Sequence, residues 1–303
     1  MPSPEQIAVL IPCLNEAQTI GKVIADFRCA APAAEIVVID NGSTDDTASI
    51  ALSLGARVIR EGRRGKGRAL RTAFEQVDAA IYVLADGDDQ MPAERLPALV
   101  APIVGGTADM VIGSRAPEAL AESQLVRLIG NRAVSWFLRR TLGAGLTDVL
   151  SGYRALTRGA VERITLAATD FEIEVELTIK AAHAGLRIGE VPIRVQPRPA
   201  GNLPRIRVVR DGLRILGAIV VLTFRGRPLR FLVPLGTILL ATSAALSVLG
   251  ASVGGAGALA AWAVALLLGL MGAGSLAAAI ALMPVARRLH PDVRAGARVS
   301  PQA

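Results

Sequence analysis

The chain has 303 residues, enough for one sizeable domain with an appendage or for two small domains. Hydrophobic residues make up 52% of it, above the usual globular share, and the formal net charge of +7 divides into −2 over residues 1–200 and +9 over residues 201–303. The basic excess lies beside a long apolar run, and zinc-ligand spacing and aromatic–basic interleaving are both missing, so a nucleic-acid partner is excluded in favour of attraction to anionic lipid headgroups.

In chain order, residues 1–6 are polar and residues 7–11 have only strand length, so the start of the chain lacks a basic-then-apolar secretory pattern and the first domain is expected to stay on the side where it is made. Short apolar runs at residues 7–11, 35–40, 57–59, 80–85 and 110–113 predict strands. Helical patterns fall between them at 17–30, 44–54, 67–77 and 93–104. This alternation predicts an α/β fold with a mostly parallel sheet and helices on both faces, with ligands beyond the carboxyl ends of the strands. Cys13 and Cys29 are too few for a disulfide framework, which points to a reducing cytosolic setting.

Further on, helices are expected around 123–142 and 171–184, and a strand at 187–195 leads into a Pro- and Gly-rich loop at 197–204. From Ile206 the apolar residues Ile206, Val209, Leu213 and Leu216 recur at helical spacing with Arg207, Arg210 and Arg214 on another side, the pattern of an interfacial helix. Residues 231–286 contain no Asp, Glu, Lys, Arg or His. One span needs about 20 residues, so two fit, at 231–250 and 258–283. Arg225, Arg227 and Arg230 precede the first and Arg287, Arg288, Arg294 and Arg298 follow the second. The positive-inside rule therefore puts both ends in the cytoplasm.

The chemistry-bearing residues gather at predicted strand ends. Asp86-Gly87-Asp88-Asp89-Gln90 follows the strand at 80–85, and carboxylates spaced i, i+2 there can approach one Mg²⁺ or Mn²⁺, ions that prefer oxygen ligands and bridge to a diphosphate. Alone, such a turn is also compatible with plain solvation. Pro12-Cys13-Leu14-Asn15-Glu16 closes the first strand, Asp40-Asn41-Gly42-Ser43-Thr44-Asp45 the second, and Gly113-Ser114-Arg115 a later one. Gly65-Lys66-Gly67 opens a helix where backbone N–H groups and a lysine can meet phosphate oxygens. Singly these read as turns and caps; in this order at successive strand ends they read as one site.

With those motifs the chain resembles the family 2 inverting glycosyltransferases of GT-A (Rossmann-like) fold, and within them the dolichyl-phosphate mannose synthase and undecaprenyl-phosphate glycosyltransferase branch. The resemblance covers about residues 7–230, includes Asp148–Arg154 (D-V-L-S-G-Y-R), Phe171–Leu177 (F-E-I-E-V-E-L) and the loop at 198–201, and the two-span tail is similar to that of the bacterial membrane-anchored members. It implies donor binding by Pro12, Leu14, Asn15, Glu16, Asp40, Asn41, Lys66, Asp86, Gly87 and Asp88, and a metal site at Asp88 and Gln90. It implies catalytic roles for Asp86, Asp88, Arg115, Arg127 and Arg198, the last in a loop that closes over the donor. Arg115, Arg127 and Asn131, joined by Arg132, would meet the acceptor phosphate. A phosphate monoester is already ionised near pH 7, so it needs positioning and charge screening more than deprotonation, and guanidinium groups supply both. The sequence departs from the family pattern at Leu14, where an aromatic is common, at Asn41, where an Asp pair is usual, and after Gly201, where Arg205 takes the place of a lysine.

The expected reaction is transfer of a single sugar from a UDP- or GDP-sugar to a polyprenyl phosphate, dependent on Mg²⁺ or Mn²⁺. The expected organisation is a GT-A domain at 1–200, a juxtamembrane helix at 201–228, a two-helix hairpin at 229–286 and a basic tail at 287–303, placed in the cytoplasmic membrane with the catalytic domain and both termini inside. A homo-oligomer is compatible with this reading. The rival readings are another membrane or polysaccharide acceptor, against which the missing Q-x-x-R-W signature counts, and a non-catalytic nucleotide-sugar-binding scaffold, against which the intact acidic motif counts.

Overall fold

A computed structural model of the chain describes residues 7–115, 134–135, 139, 146–196, 214–215, 217–219, 221–222, 228–253 and 255–289. The described residues up to Ile219 form one compact unit, and those from Val221 to Leu289 form a second.

The first unit alternates β1 (Ile7–Cys13), α1 (Ile20–Ala30), β2 (Glu35–Asp40), α2 (Thr47–Ser53), β3 (Arg57–Arg60), α3 (Lys66–Gln76), β4 (Ile81–Leu84), a 3₁₀ turn (Ala93–Arg95) running into α4 (Leu96–Val104), and β5 (Met110–Arg115). After these come β6 (Arg154–Thr157), α5 (Arg158–Arg163), α6 (Ile173–His183) and β7 (Ile188–Ile193). The expected helix at 93–104 is thus split: Pro97 sits at the start of α4, where a missing N–H costs nothing, and the residues before it wind more tightly.

The seven strands form one sheet in the order β3-β2-β1-β4-β6-β5-β7. β1 pairs in parallel with β2 and β4, β2 with β3, and β5 with β7, whereas β6 runs antiparallel to both β4 and β5. This GT-A-like mixed sheet is buried on both sides. Val9, Ile11 and Cys13 of β1 face a core with Ile20, Val23, Ile24 and Phe27 of α1 and Leu96, Leu99 and Val100 of α4. The alternate residues Ala8 and Leu10 are equally buried and face the side covered by α3, where Leu70 and Ala73 are buried. Strands covered on both faces read as continuous apolar runs, which is why β1, β2 and β4 are so legible in the sequence.

The antiparallel β6 decides where the site lies. Leu84 at the end of β4 pairs with Arg154 at the start of β6, so residues 146–153 arrive at the same sheet edge that β1, β2, β4, β5 and β7 reach with their carboxyl ends. Neither β6 nor α5 is among the elements that the sequence predicts.

The second unit is a pair of helices, α7 (Pro228–Val253) and α8 (Gly255–Leu289). Their stretches Leu232–Ser252 and Gly257–Leu282, 21 and 26 residues, are long and apolar enough to cross a membrane. Only 11% and 17% of these stretches is buried, the reverse of what a soluble core helix requires. The two helices approach through small residues: a Cβ on Gly236 would stand 2.9 Å from the Gly272 carbonyl oxygen, and one on Gly250 would stand 2.7 Å from Trp262 Nε1. Ser243 Oγ donates to Ala265 O (2.6 Å), Ser275 Oγ to Leu232 O (2.9 Å) and Trp262 Nε1 to Ser247 O (3.1 Å), so polar groups inside the apolar pair are satisfied within it.

Candidate active site

The first wall of the site is built by the loops after β1 and β2. Asn15 takes a left-handed conformation (φ 53°), its N–H donates to Ser43 Oγ (2.9 Å), and its Oδ1 accepts from Thr44 N (2.7 Å). Glu16 N donates to Thr47 Oγ1 (2.8 Å) and Ala17 N to Asp45 Oδ2 (3.1 Å). Burial would raise the Asp45 carboxyl, but the Thr47 hydroxyl and the Ala17 N–H hold it below the ordinary carboxylate range. Asp40 is almost buried and accepts from Ser43 N (2.9 Å). These contacts bring Pro12, Leu14, Asn15, Glu16 and Asp40 to adjoining strand ends.

Asn41 lies at the same place but acts on the chain itself. Its Nδ2 donates to the carbonyls of Glu61 (3.0 Å) and Arg63 (2.9 Å), and its Oδ1 accepts from Gly65 N (2.6 Å). These three bonds all go to the loop that carries Lys66. Gly65 (φ 133°) suits only glycine, and a Cβ there would stand 2.1 Å from the Thr169 carbonyl oxygen; at Gly67 one would stand 2.5 Å from Ala168 O. The loop therefore rests backbone to backbone on residues 168–169.

The centre of the site is the turn after β4. Lys66 Nζ bridges Asp86 Oδ1 (2.5 Å) and Glu174 Oε1 (2.7 Å). Burial would lower the Lys66 ammonium, but the two carboxylates outweigh it and hold the pKa above the ordinary lysine value, so it stays charged. A Cβ at position 152 would stand 2.8 Å from Asp86 Oδ2 and 3.0 Å from Lys66 Nζ, so a side chain there would push the tips of this pair aside. Gly87 is equally tight against Cys13 Sγ, and its carbonyl accepts from Thr19 Oγ1 (2.6 Å). Asp89, the other described non-glycine residue with positive φ (60°), pairs with Lys22 (2.7 Å). Asn and Asp are the non-glycine residues that enter this region most readily, so both turns agree with their local sequence.

Asp88 is nearly buried, and its Oδ1 accepts from Gln90 N (3.3 Å). Gln90 Nε2 donates to the Gln196 carbonyl (3.4 Å), which identifies the other amide atom as its carbonyl oxygen, the acceptor. No group of three or more His, Cys, Asp and Glu side chains suited to a metal occurs among the described residues. A carboxylate and an amide oxygen nonetheless fit Mg²⁺ or Mn²⁺, which commonly use one or two protein oxygens and complete their shell with water and substrate phosphates.

On the far side, Arg115 at the end of β5 grips Asp148 with Nε (2.6 Å to Oδ2) and a terminal nitrogen (2.9 Å to Oδ1), and its backbone N–H also donates to Oδ2 (3.0 Å). Burial opposes charge on both partners, but the bidentate contact holds Asp148 below its ordinary range and Arg115 above its own. Asp148 takes two of the five guanidinium N–H donors. The segment is tied down further by Glu190, which accepts from the N–H groups of Thr147 (2.8 Å) and Asp148 (3.1 Å). Arg154 donates to the carbonyls of Ser151 (2.8 Å) and Val149 (2.7 Å). Arg127, Asn131, Arg132 and Arg198 lie outside the described residues.

The structure thus brings Asp40, Lys66, Asp86, Asp88, Gln90 and Arg115 to one sheet edge. It adds Asp148, Gly152 and Glu174, which sequence reasoning did not single out as site residues. Asp148 and Gly152 belong to the D-V-L-S-G-Y-R motif, so the signal was present, whereas nothing along the chain pairs Glu174 with a lysine 108 positions earlier.

Residues 8–165 match the family described as Glycosyl transferase family 2. Glycosyltransferase AglJ of Haloferax volcanii is 38% identical over 215 residues, covering 70% of this chain and 70% of that protein. A dolichyl-phosphate hexose transferase of the same organism is 34% identical over 195 residues, covering 64% of this chain and 84% of the relative. Among solved structures, glucosyl-3-phosphoglycerate synthase from Mycobacterium tuberculosis in complex with Mn²⁺, uridine diphosphate and glucosyl-3-phosphoglycerate superposes with a TM-score of 0.61 at 25% identity, covering 72% of this chain and 80% of that one.

Proposed function

The chain belongs to glycosyl transferase family 2, and on that premise we propose that this glycosyltransferase moves one hexose-type sugar, mannose, glucose or similar, from a UDP- or GDP-sugar to a polyprenyl phosphate, with inversion, at the cytoplasmic face of a membrane. The observation that carries the reading is the meeting, at one sheet edge, of the Asp86–Asp88 turn with Lys66 on one side and the Asp148-held Arg115 on the other. The relative named for dolichyl-phosphate hexose transfer supports the acceptor class, and the two candidate membrane helices support its location.

In this reading Asp40 and the 12–16 segment receive the nucleoside, and Lys66 meets the diphosphate. Asp88 and Gln90 would hold Mg²⁺ or Mn²⁺, which supplies charge neutralisation to the leaving diphosphate. Arg115, with Arg127, Asn131 and Arg132, orients the lipid phosphate, and Arg198 belongs to the segment that closes over the donor. A phosphate oxygen bonds to the anomeric carbon on the face opposite the diphosphate as the carbon–diphosphate bond breaks, which inverts the centre and releases the nucleoside diphosphate. The attacking oxygen is already anionic, so positioning does the work that a general base does for a hydroxyl acceptor.

Screening radiolabelled UDP- and GDP-sugars against undecaprenyl and dolichyl phosphate is the direct test. Lipid-linked product should form with one pair, vanish in EDTA, and vanish in Asp88→Asn without loss of the folded state. Full activity in either condition would overturn the metal-dependent reading.

A further inference from the structure

We propose that Glu174, in the first turn of α6, is a positioning residue for the donor: it holds the Lys66 ammonium beside Asp86 with one N–H directed to a donor phosphate, and does not itself touch the donor. The inference rests on the reading of this sheet edge as the nucleotide-sugar site.

Three independent constraints converge on Lys66. An ammonium has three N–H donors, and Asp86 Oδ1 and Glu174 Oε1 take two of them, which leaves the third for a phosphate oxygen. Gly152 closes another side, since a Cβ there would stand 3.0 Å from Nζ. The backbone around Lys66 is also referenced to α6. Gly65 and Gly67 rest on the carbonyls of Thr169 and Ala168, and that turn is held by neighbouring glutamates of the same stretch. Glu172 Oε1 accepts from Thr169 N (3.1 Å), and Glu176 accepts from Ala167 N (3.0 Å) and Ala168 N (2.7 Å). Glu172 and Glu176 therefore set the height of the loop, and Glu174 between them sets the direction of the lysine head.

A lysine on an open loop loses the freedom of a long side chain when it grips an anion, and one already held loses little on binding. Glu174 is itself nearly buried, and its Oε1 is engaged by Lys66. Its ion pair within the site is with Lys66, and toward Arg115 it adds only a through-space attraction. That distinguishes it from a residue that touches either substrate and from one that only stabilises the fold.

The test uses the full chain in detergent, with uridine or guanosine diphosphate plus Mn²⁺ titrated by calorimetry alongside donor and lipid KM values. Glu174→Gln keeps the shape and one acceptor and should weaken nucleotide affinity and raise donor KM by about tenfold, with lipid KM changed by less than about twofold. In a Lys66→Met background the same change should add nothing, because the residue through which it acts is gone. Should Glu174→Gln lose its cooperative melt, Glu174→Asp, which keeps the charge but retracts it, should show the same donor-only pattern at smaller size. An equal loss with and without Lys66, or a rise in lipid KM instead, overturns the proposal. Wild-type protein that binds neither nucleotide overturns the donor reading beneath it, whereas normal wild-type binding with an unaffected Glu174→Gln overturns only the positioning role.

Discussion

Arg154 has the largest of the fully buried side chains, and its three hydrogen bonds go to neutral partners: two carbonyls and Thr178 Oγ1 (2.8 Å). Burial pulls its pKa down to about 10, and it remains charged at neutral pH. A buried guanidinium costs desolvation energy, which here is offset by closing the 146–153 segment on which Asp148 and Gly152 depend. The Arg115–Asp148 pair gives that segment a pH signature. The Asp148 pKa is depressed in the folded chain, so its contribution is present in full above the unfolded carboxylate value, about 3.9, and is lost as pH falls through the folded value. Asp148→Asn should cost about 3 kcal/mol, since it leaves Arg115 without its charge partner. Melting temperatures should differ by a constant amount from pH 5 to 8, and the difference should begin to narrow below pH 4. A gap that does not narrow at all between pH 5 and pH 3 would mean that shape, not charge, is what the substitution removes.

Among the elements, the loop at 61–65 shows how one side chain can set a neighbouring segment. Asn41 donates twice and accepts once there, a combination available to an amide and not to a carboxylate. The sequence marks Asn41 as a departure from an Asp pair; in the structure its amide is what the loop requires. Asn41→Asp would bring a negative oxygen against the carbonyls of Glu61 and Arg63. It should destabilise the domain by about 2 kcal/mol and weaken nucleoside diphosphate binding, because Lys66 moves with the loop. Thermal unfolding and calorimetry on this variant check both effects, and wild-type behaviour in each would show that the loop is held by something other than Asn41. The same scale explains the entry to α6, where Glu172, Glu174 and Glu176 serve the Thr169 N–H, Lys66 and the 167–168 N–H groups in turn.

For the molecule as a whole, the decisive property is the contrast between a unit with a sheet buried on both faces and a unit whose apolar surface is exposed. Ile238, Leu259, Leu266, Leu267, Leu270 and Met271 of α7 and α8 are all more than 60% exposed, an arrangement suited to lipid tails and costly in water. Arginines flank both spans and the linking turn carries no charge. Reporter fusions at Gly254 should therefore appear outside the cytoplasm and fusions after Ala303 inside. A cytoplasmic signal from Gly254 would make the hairpin an anchor that enters one leaflet without crossing.

The sequence by itself determined the strand–helix alternation, the placement of the Asp40, Asp86–Gln90 and Arg115 motifs at strand ends, and the two membrane-length helices. Each of these depends on periodicity, turn chemistry or hydropathy over a few neighbouring residues, so it is written locally in the chain. Only the tertiary structure decided that β6 turns antiparallel, that Gly152 packs against Asp86 and Lys66, and that Glu174 and Asp148 are the partners of Lys66 and Arg115. Ion pairing falls off with distance in space and is indifferent to separation along the chain, so a lysine and a glutamate 108 residues apart become partners only when α3 and α6 bring them together.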